Sequence, residues 1–263
     1  MPKYGPYDKN DDHTYALGVF PSMELLKSRP ESVRCLLVDP AGYRNAGVAK
    51  LIEACRARRI PVEEAPRAVE RISGKENAWC VTVLGKYACR LDPLRSHVVL
   101  HNPSDVGNVG TILRSALGFG FRDVAIIRPG VDPFDPRVLR ASMGAAFHLN
   151  LVRLESFDEY RSLAGEREYY LFRLRNAKPL ADQGRTAGAP FTLVFGNEAA
   201  GLPKDLEDFG NGVIIPLASD SQGSIGVLYV SGVSSAEGVK LLEIYAAQGI
   251  GLYAFSAGAR QGA

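Results

Sequence analysis

Val98-Val99-Leu100-His101-Asn102-Pro103-Ser104-Asp105-Val106-Gly107-Asn108-Val109-Gly110-Thr111-Ile112-Leu113-Arg114-Ser115-Ala116-Leu117-Gly118-Phe119-Gly120 is the stretch whose reading decides the fold. The apolar run Val98–Leu100 reads as a buried strand. A Gly/Asn-rich turn follows it and leads into a helix that carries one arginine, Arg114, on an otherwise apolar face. A strand, a polar glycine turn and a helix start, in that order, make a ligand-binding corner of an α/β sheet. Two common ligands are excluded by the wording. No lysine follows a glycine between Gly107 and Gly120, so this is no phosphate loop, and the glycine spacing is not that of a dinucleotide fold. A ligand other than a nucleoside triphosphate or a nicotinamide dinucleotide is expected.

Outward from this corner, strand and helix alternate down to the C-terminus. Strands are expected at Val98–Leu100, Asp123–Ile127, Leu149–Val152, Tyr169–Phe172, Phe191–Phe195 and Val213–Ile215, with helices starting near Asn108, Asp135, Ser156, Lys204 and Ser235. Apolar strands separated by helices imply an α/β fold, a mostly parallel sheet with helices on both faces. Towards the N-terminus lies a smaller α/β unit. Its strands are expected at Val33–Val38, Ile60–Val62 and Trp79–Leu84, and its helices at Ala46–Arg59 and Pro66–Ile72. Residues 1–14 are polar and contain Pro and Gly, which reads as a flexible tail, and Arg90–Arg95 reads as a hinge. The expected organisation is a tail over 1–14, a small domain over 15–91 and a larger one over 96–263.

Composition bounds the function. With 46% hydrophobic and 23% charged residues over 263 positions, the chain is long enough to bury a sizeable core. No apolar run approaches the roughly 20 residues a membrane span needs, and Met1–Pro6 lacks the apolar core of a signal peptide, so a cytoplasmic location without membrane contact is expected. Cys35, Cys55, Cys80 and Cys89 show no CxxC pairing, which argues for reduced, small hydrophobic residues and against a metal site. Residues 1–95 carry 16 Lys and Arg against 12 Asp and Glu, so the positive balance lies in the N-terminal part. Its densest cluster is Lys50, Arg56, Arg58 and Arg59; a solvated helix face and a phosphate-contacting face both fit it.

Three strand-ending loops carry unusual polar content. The first holds Asn108 and Arg114. The second is Phe195-Gly196-Asn197-Glu198-Ala199-Ala200-Gly201-Leu202-Pro203, where two glycines allow close approach to the backbone and Glu198 puts a carboxylate at the sheet edge. The third runs from Ile214-Ile215-Pro216-Leu217 to Ser224-Ile225-Gly226. Ligands of open α/β sheets bind where such loops converge, outside the carboxyl ends of the strands.

In order and wording these loops resemble the SpoU/TrmH-type RNA 2′-O-methyltransferases of the SPOUT class. Asn102-Pro103 through Arg114-Ser115-Ala116 to Gly118-Phe119-Gly120 is similar to the first family motif. Arg140-Ala141-Ser142-Met143-Gly144-Ala145 is similar to an intermediate segment, Phe195 to Pro203 to the second motif, and Val213-Ile214-Ile215-Pro216-Leu217 to the opening of the third. Residues 16–91 look like the family's N-terminal substrate-binding domain. The resemblance covers roughly residues 15–245.

What the resemblance implies is a C-terminal deep trefoil knot, a homodimer and S-adenosylmethionine bound inside the knot. The reaction implied is methyl transfer to a ribose 2′-hydroxyl of rRNA or tRNA. Arg114 would act on that hydroxyl as base or electrostatic partner, Asn108 would position the arginine or the substrate, and Glu198 would organise the cofactor loop and the partner protomer. Gly196, Asn197, Ile215 and Leu217, with Ser224, Ile225 and Gly226, would hold the cofactor. Arg56, Arg58, Arg59 and Arg140 would contact RNA, and no metal is implied. A ribose hydroxyl is a poor nucleophile that needs a positioned proton acceptor or charge stabiliser, and an arginine that stays protonated suits the second role.

One departure bears on activity. Where the family has Ser-Leu-Asn entering an Ala-rich helix, this chain has Ser224-Ile225-Gly226, so an amide side chain is missing, and Ser231–Ser235 interrupts the helix pattern. A catalytically degenerate RNA-binding protein of the same fold is therefore the alternative. A third reading, a small-molecule enzyme on a doubly wound sheet, rests on fold analogy.

Overall fold

Four short strands build the first of two sheets, and in three of them consecutive residues are buried, so both faces are covered. They are β1 (His13–Leu17), β2 (Val33–Val38), β3 (Val62–Glu64) and β4 (Cys80–Gly85), interleaved with α1 (Val19–Ser28), α2 (Ala46–Ala57) and α3 (Pro66–Ser73). The computed structural model describes residues 4–74, 78–184 and 188–214. In the order β1-β4-β2-β3, β4 runs antiparallel to both neighbours and β2 parallel to β3. Successive side chains point to opposite faces. Leu36, Val38 and Cys80 accordingly pack with Leu26 of α1 and Val48, Leu51 and Cys55 of α2, while Cys35, Leu37, Val81 and Val83 pack with Val69 of α3. Burial pushes the Cys55 thiol up to about 11 and the Cys80 thiol up to about 12, so both behave as small hydrophobic groups.

Helix α2 starts where Asn45 accepts hydrogen bonds from the Gly47 and Val48 amides, and buries Val48, Leu51 and Cys55 at helical spacing. It ends at Ala57, two residues short of the expected Arg59, which takes a left-handed φ of 57°. In the stretch read as a tail, Tyr4 and Tyr7 pack against the Tyr15 side of the core, and the Tyr15 hydroxyl donates to the Gly5 carbonyl at 2.8 Å. The segment Asp132–His148 belongs to this same unit, whereas a single sequence boundary between residues 91 and 96 would assign it to the other. Thr14 Oγ1 donates to the Phe134 carbonyl at 2.6 Å, and His148 Nε2 lies 2.8 Å from Glu24 Oε2.

Among the described residues, the second unit comprises Cys89–Val131 and those of 149–214. Along the chain come β5 (His97–His101), α4 (Val106–Gly118), β6 (Asp123–Ile127), α5 (Pro136–Ala141, in the first unit), β7 (Asn150–Leu154), α6 (Phe157–Ala164), β8 (Glu168–Phe172), β9 (Lys178–Pro179), β10 (Phe191–Phe195) and β11 (Asn211–Ile214). The sheet order is β7-β6-β5-β10-β8-β11-β9, and all six pairings are parallel. Val99, Ala125, Ile127, Leu171 and Val194 pack with Phe157, Tyr160 and Ala164 of α6 on one face. The intervening Val98, Leu100, Val124, Ile126, Leu193 and Phe195 are buried too, as expected for a parallel sheet covered on both sides. The helix expected from Lys204 is a single 3-10 turn, Lys204–Leu206; the one expected near Ser235 lies outside the described residues.

Candidate active site

Strands β5 and β10 are neighbours at the middle of the parallel sheet, and the chain leaves them in opposite directions, from β5 to β6 and from β10 to β11. This is the topological switch point of an open α/β sheet, where the loops after two adjacent strands part and leave a crevice. Those two loops are Asn102–Asp105 and Gly196–Pro203, the first and second of the polar loops singled out from sequence.

The first loop is fixed from below. Asn102 takes a left-handed φ of 52° and donates its amide to the Ile127 carbonyl at 3.0 Å. Pro103 fills the space a side chain at Gly130 would need, since a Cβ there would meet Pro103 Cδ at 2.5 Å. Helix α4 begins at Val106 because the Asp105 side chain accepts the Asn108 amide at 2.7 Å. Gly107, Asn108 and Gly110 therefore lie in the first turns of the helix, which starts two residues before the expected start near Asn108. The cap and the buried stripe of Val109, Ile112, Leu113 and Ala116 outweigh the glycines' poor helix propensity.

The second loop closes on itself. The amides and carbonyls of Asn197 and Gly201 exchange two hydrogen bonds of 3.0 Å. Asn197 Oδ1 accepts the Ala199 and Ala200 amides at 2.9 Å each, and its Nδ2 donates to the Asn102 carbonyl at 2.7 Å, tying the two loops together. Gly201 has a φ of 75°. Gly196 is demanded by close approach: a Cβ would lie 2.4 Å from the Gly201 carbonyl carbon and 2.6 Å from the Leu202 nitrogen. The expected close approach is thus made by the loop's own backbone.

Glu198 joins both loops. Its carboxylate accepts the Ser104 amide at 2.9 Å, the Ser104 hydroxyl at 2.7 Å and the Asp105 amide at 3.2 Å, with the Asn108 and Asn197 side-chain amides each at 3.4 Å. These donors stand at the N-terminus of α4, where the helix favours negative charge. Burial alone would raise the Glu198 pKa, but the bonds from Ser104 and Asp105 outweigh it and hold the carboxyl below its ordinary value. Asn108 is 4% exposed, and its Oδ1 is a buried acceptor with no hydrogen bond among the described residues.

Arg114 is exposed on α4 and has neither hydrogen bond nor ion pair among the described residues. It lies six helical positions after Asn108, about 9 Å along the axis and about a third of a turn around it. Asn108, Asn197 and Glu198 are therefore brought together, with Gly196 beside them, and Asn108 reaches Glu198 and not the arginine. Arg56, Arg58, Arg59 and Arg140 are exposed in the first unit. Ile215, Leu217, Ser224, Ile225 and Gly226 lie outside the described residues. Two participants escaped the sequence reading, Ser104 as a double donor and Asn102 through its carbonyl; the Ser-Asp pair before the helix was the available signal. Beside the second loop a cavity of about 260 Å³ is lined by Phe172 to Arg175, Ala200 to Leu202, Lys204 and Glu207. Arg173 donates to the Leu206 and Phe209 carbonyls at 2.6 and 2.8 Å, which engages its charge, while Arg175 and Lys204 are exposed.

Known proteins carry the same elements. The SpoU rRNA Methylase family model matches residues 95–224. The rRNA methyltransferase 3, mitochondrial, of Mus musculus is 47% identical over 55 residues, which are 21% of this chain and 13% of that protein. The 23S rRNA (uridine(2479)-2'-O)-methyltransferase of Streptomyces viridochromogenes is 26% identical over 198 residues, 73% of this chain and 62% of that one. In both cases the match spans less than two thirds of the relative's length. The solved structure of the SpoU methyltransferase AviRb from Streptomyces viridochromogenes, in complex with the cofactor AdoMet, superposes with a TM-score of 0.72 at 23% identity, covering 95% of this chain and 90% of that one, which shows a shared fold. With the family model matched across both loops of the switch point, the chain carries, over residues 95–224, a domain of the SpoU rRNA methylase family.

Proposed function

We propose that this protein is an S-adenosylmethionine-dependent RNA methyltransferase that transfers a methyl group to a ribose 2′-hydroxyl of rRNA or tRNA. The observation that carries the reading is the Glu198 junction, through which the first two motifs meet at the switch point of the parallel sheet. The activity in the name of the Streptomyces viridochromogenes relative and the AdoMet in the solved neighbour agree with it.

The residues present fit the cofactor. The cavity beside Ala200–Leu202 offers an apolar wall from Phe172 and Leu202, loop backbone at Gly201, and the cations Arg175 and Lys204 to complement a carboxylate. Gly196 and Asn197 keep that loop in shape, and Ile215, Leu217, Ser224, Ile225 and Gly226 complete the holding set. When bound, the cofactor supplies an electrophilic methyl group on a sulfonium. Arg114 is a cation with no competing anion among the described residues, so its charge is available to an RNA phosphate or to the 2′-oxygen as negative charge builds there. Glu198 is a positioning residue whose carboxylate is fully engaged in holding the loops. A C-terminal deep trefoil knot, a homodimer, and RNA contacts from Arg56, Arg58, Arg59 and Arg140 complete the proposal.

Replacing Arg114 by alanine tests the assignment: methyl transfer should be abolished while S-adenosylhomocysteine binds within about twofold of the parent. Unchanged turnover would refute the role. The degenerate-protein alternative keeps one observation in its favour, Gly226 in place of the family's asparagine, and it requires RNA binding without any methylated product.

A further inference from the structure

One end of the four-stranded sheet gathers every strongly exposed aromatic ring among the described residues. Phe20 is 63% exposed, Tyr43 42% and Trp79 41%. Phe20 stands in the first turn of α1, just after β1; Tyr43 is in the turn Pro40–Arg44 that follows β2; Trp79 precedes β4. The strand ends bearing them are hydrogen-bonded to one another, Gly18 to the Cys80 carbonyl at 3.1 Å and Asp39 to the Trp79 carbonyl at 2.9 Å. A scattered apolar residue on a surface needs no explanation. Three aromatic rings at one sheet end, none of them used for the core, do.

Two of the three rings are held in place. Trp79 lies over Gly42, where a Cβ would meet the indole's Cβ at 2.5 Å and its Cγ at 2.9 Å, so glycine at 42 is what lets the indole settle on this turn. The Tyr43 hydroxyl donates to Glu64 Oε1, which anchors the far edge of that ring. Cations complete the set. Arg44 is exposed beside Tyr43, and the Arg56 guanidinium is near enough to act on the Tyr43 phenol. Neither arginine has an ion pair among the described residues.

Exposed aromatic rings, two of them anchored, with unpaired arginines beside Tyr43 fit a partner that offers flat π-surfaces strung along a line of negative charge. That is a single-stranded nucleic acid, whose unpaired bases stack on aromatic side chains while phosphates meet arginine. A duplex does not fit, because its bases are already stacked on one another. We propose that Phe20, Tyr43 and Trp79, with Arg44 and Arg56, form a platform that takes unpaired bases of the RNA substrate. This rests on the RNA reading proposed above and deepens it.

Trp79 is the only tryptophan in the sequence, so its emission reports on the platform directly. The full chain is titrated with a single-stranded oligouridylate and with an RNA hairpin lacking unpaired bases beyond its loop, binding being followed separately by anisotropy of end-labelled RNA. The expected result is quenching of Trp79 by the oligouridylate with the same midpoint as its anisotropy change. In Tyr43→Ala or Phe20→Ala the single-strand affinity should fall at least about fivefold, the minimum for one lost base stack. Arg44→Ala should lower the salt dependence by about one phosphate contact. Oligouridylate binding seen by anisotropy with unmoved Trp79 emission and unchanged affinity in Tyr43→Ala overturns the platform and leaves the RNA reading standing. No binding of either RNA overturns both.

Discussion

Replacing Glu198 by glutamine removes a charge while keeping the side chain's size and shape. In the parent, three donors within 3.2 Å converge on the carboxylate, the Ser104 amide, the Ser104 hydroxyl and the Asp105 amide. A glutamine offers one acceptor oxygen, and its NH₂ must face one of these donors. Hydrogen bonds to a charged group contribute about 1.5–3 kcal/mol and neutral ones about 1 kcal/mol, and a carboxylate at a helix N-terminus adds about 0.3–1 kcal/mol. Ser104 and Asp105 are exposed and water replaces part of what is lost, which brings the expected cost to about 2 kcal/mol. The readout is amide hydrogen exchange of peptides covering residues 102–113, where that cost lowers protection about 30-fold at pH 7. The pH dependence carries the sharper test. Because the folded Glu198 pKa is held below its ordinary value of 4.5, its stabilisation is fully present above about 4.5 and is lost as pH falls through the folded value. The parent-to-variant ratio should therefore shrink as pH falls below 4.5 through the folded value. A ratio unchanged between pH 7 and pH 3 would refute the electrostatic account of the junction.

Other consequences can be checked independently. Asn197→Ala loses three good hydrogen bonds of 2.7 to 2.9 Å and should destabilise the second unit by about 2–3 kcal/mol in denaturant titrations, with S-adenosylhomocysteine binding at least about tenfold weaker; a change below 0.5 kcal/mol on the order expected for a surface residue would contradict the loop geometry. Gly196→Ala places a Cβ inside the Gly201–Leu202 backbone and should displace that loop, abolishing calorimetric binding of S-adenosylhomocysteine with RNA affinity retained; normal cofactor affinity would show that the close approach is not real. His97 is buried, with Tyr160 Oη 2.9 Å from its Nδ1 and the Asp92 carbonyl 2.8 Å from its Nε2, and burial pushes its pKa down to about 4. The unfolded chain takes up a proton near pH 6.5 that the folded one refuses, so stability should fall by up to about 3 kcal/mol between pH 6.5 and pH 4. His97→Gln should flatten that slope, and an equally steep slope in the variant would remove His97 as its cause.

The sequence was most legible where period and chemistry agreed. Apolar runs such as Asp123–Ile127 and Phe191–Phe195 are strands with those same limits, because a strand buried on both faces leaves an uninterrupted apolar signature. The Phe195–Pro203 loop was recognisable from its glycines and carboxylate, and Glu198 stands in the loop at the carboxyl end of the central strand β10. Less visible was the start of α4, where the cap at Asp105 sets it two residues before the expected Asn108, ahead of Gly107. Strand β1 and helix α1 went unread because Gly18, with φ of 89°, and Pro21 mark a turn in a stretch that folds as strand, bend and helix. Nothing in the alternation of strands and helices revealed that Asp132–His148 packs with the first unit, since its ties, Thr14 to Phe134 and Glu24 to His148, join residues more than a hundred positions apart. The separation of Asn108 from Arg114 is a matter of helical phase, readable only once the helix boundary is known.

The central claim is methyl transfer to ribose. Purified protein is incubated with unmodified large-subunit ribosomal RNA transcribed in vitro and methyl-labelled S-adenosylmethionine, and the RNA is digested to nucleosides for mass spectrometry. The account predicts a 2′-O-methylated nucleoside at a single position, absent with Arg114→Ala although that variant still binds S-adenosylhomocysteine. Label on a base, or RNA and cofactor both bound with no methylated product, would contradict it.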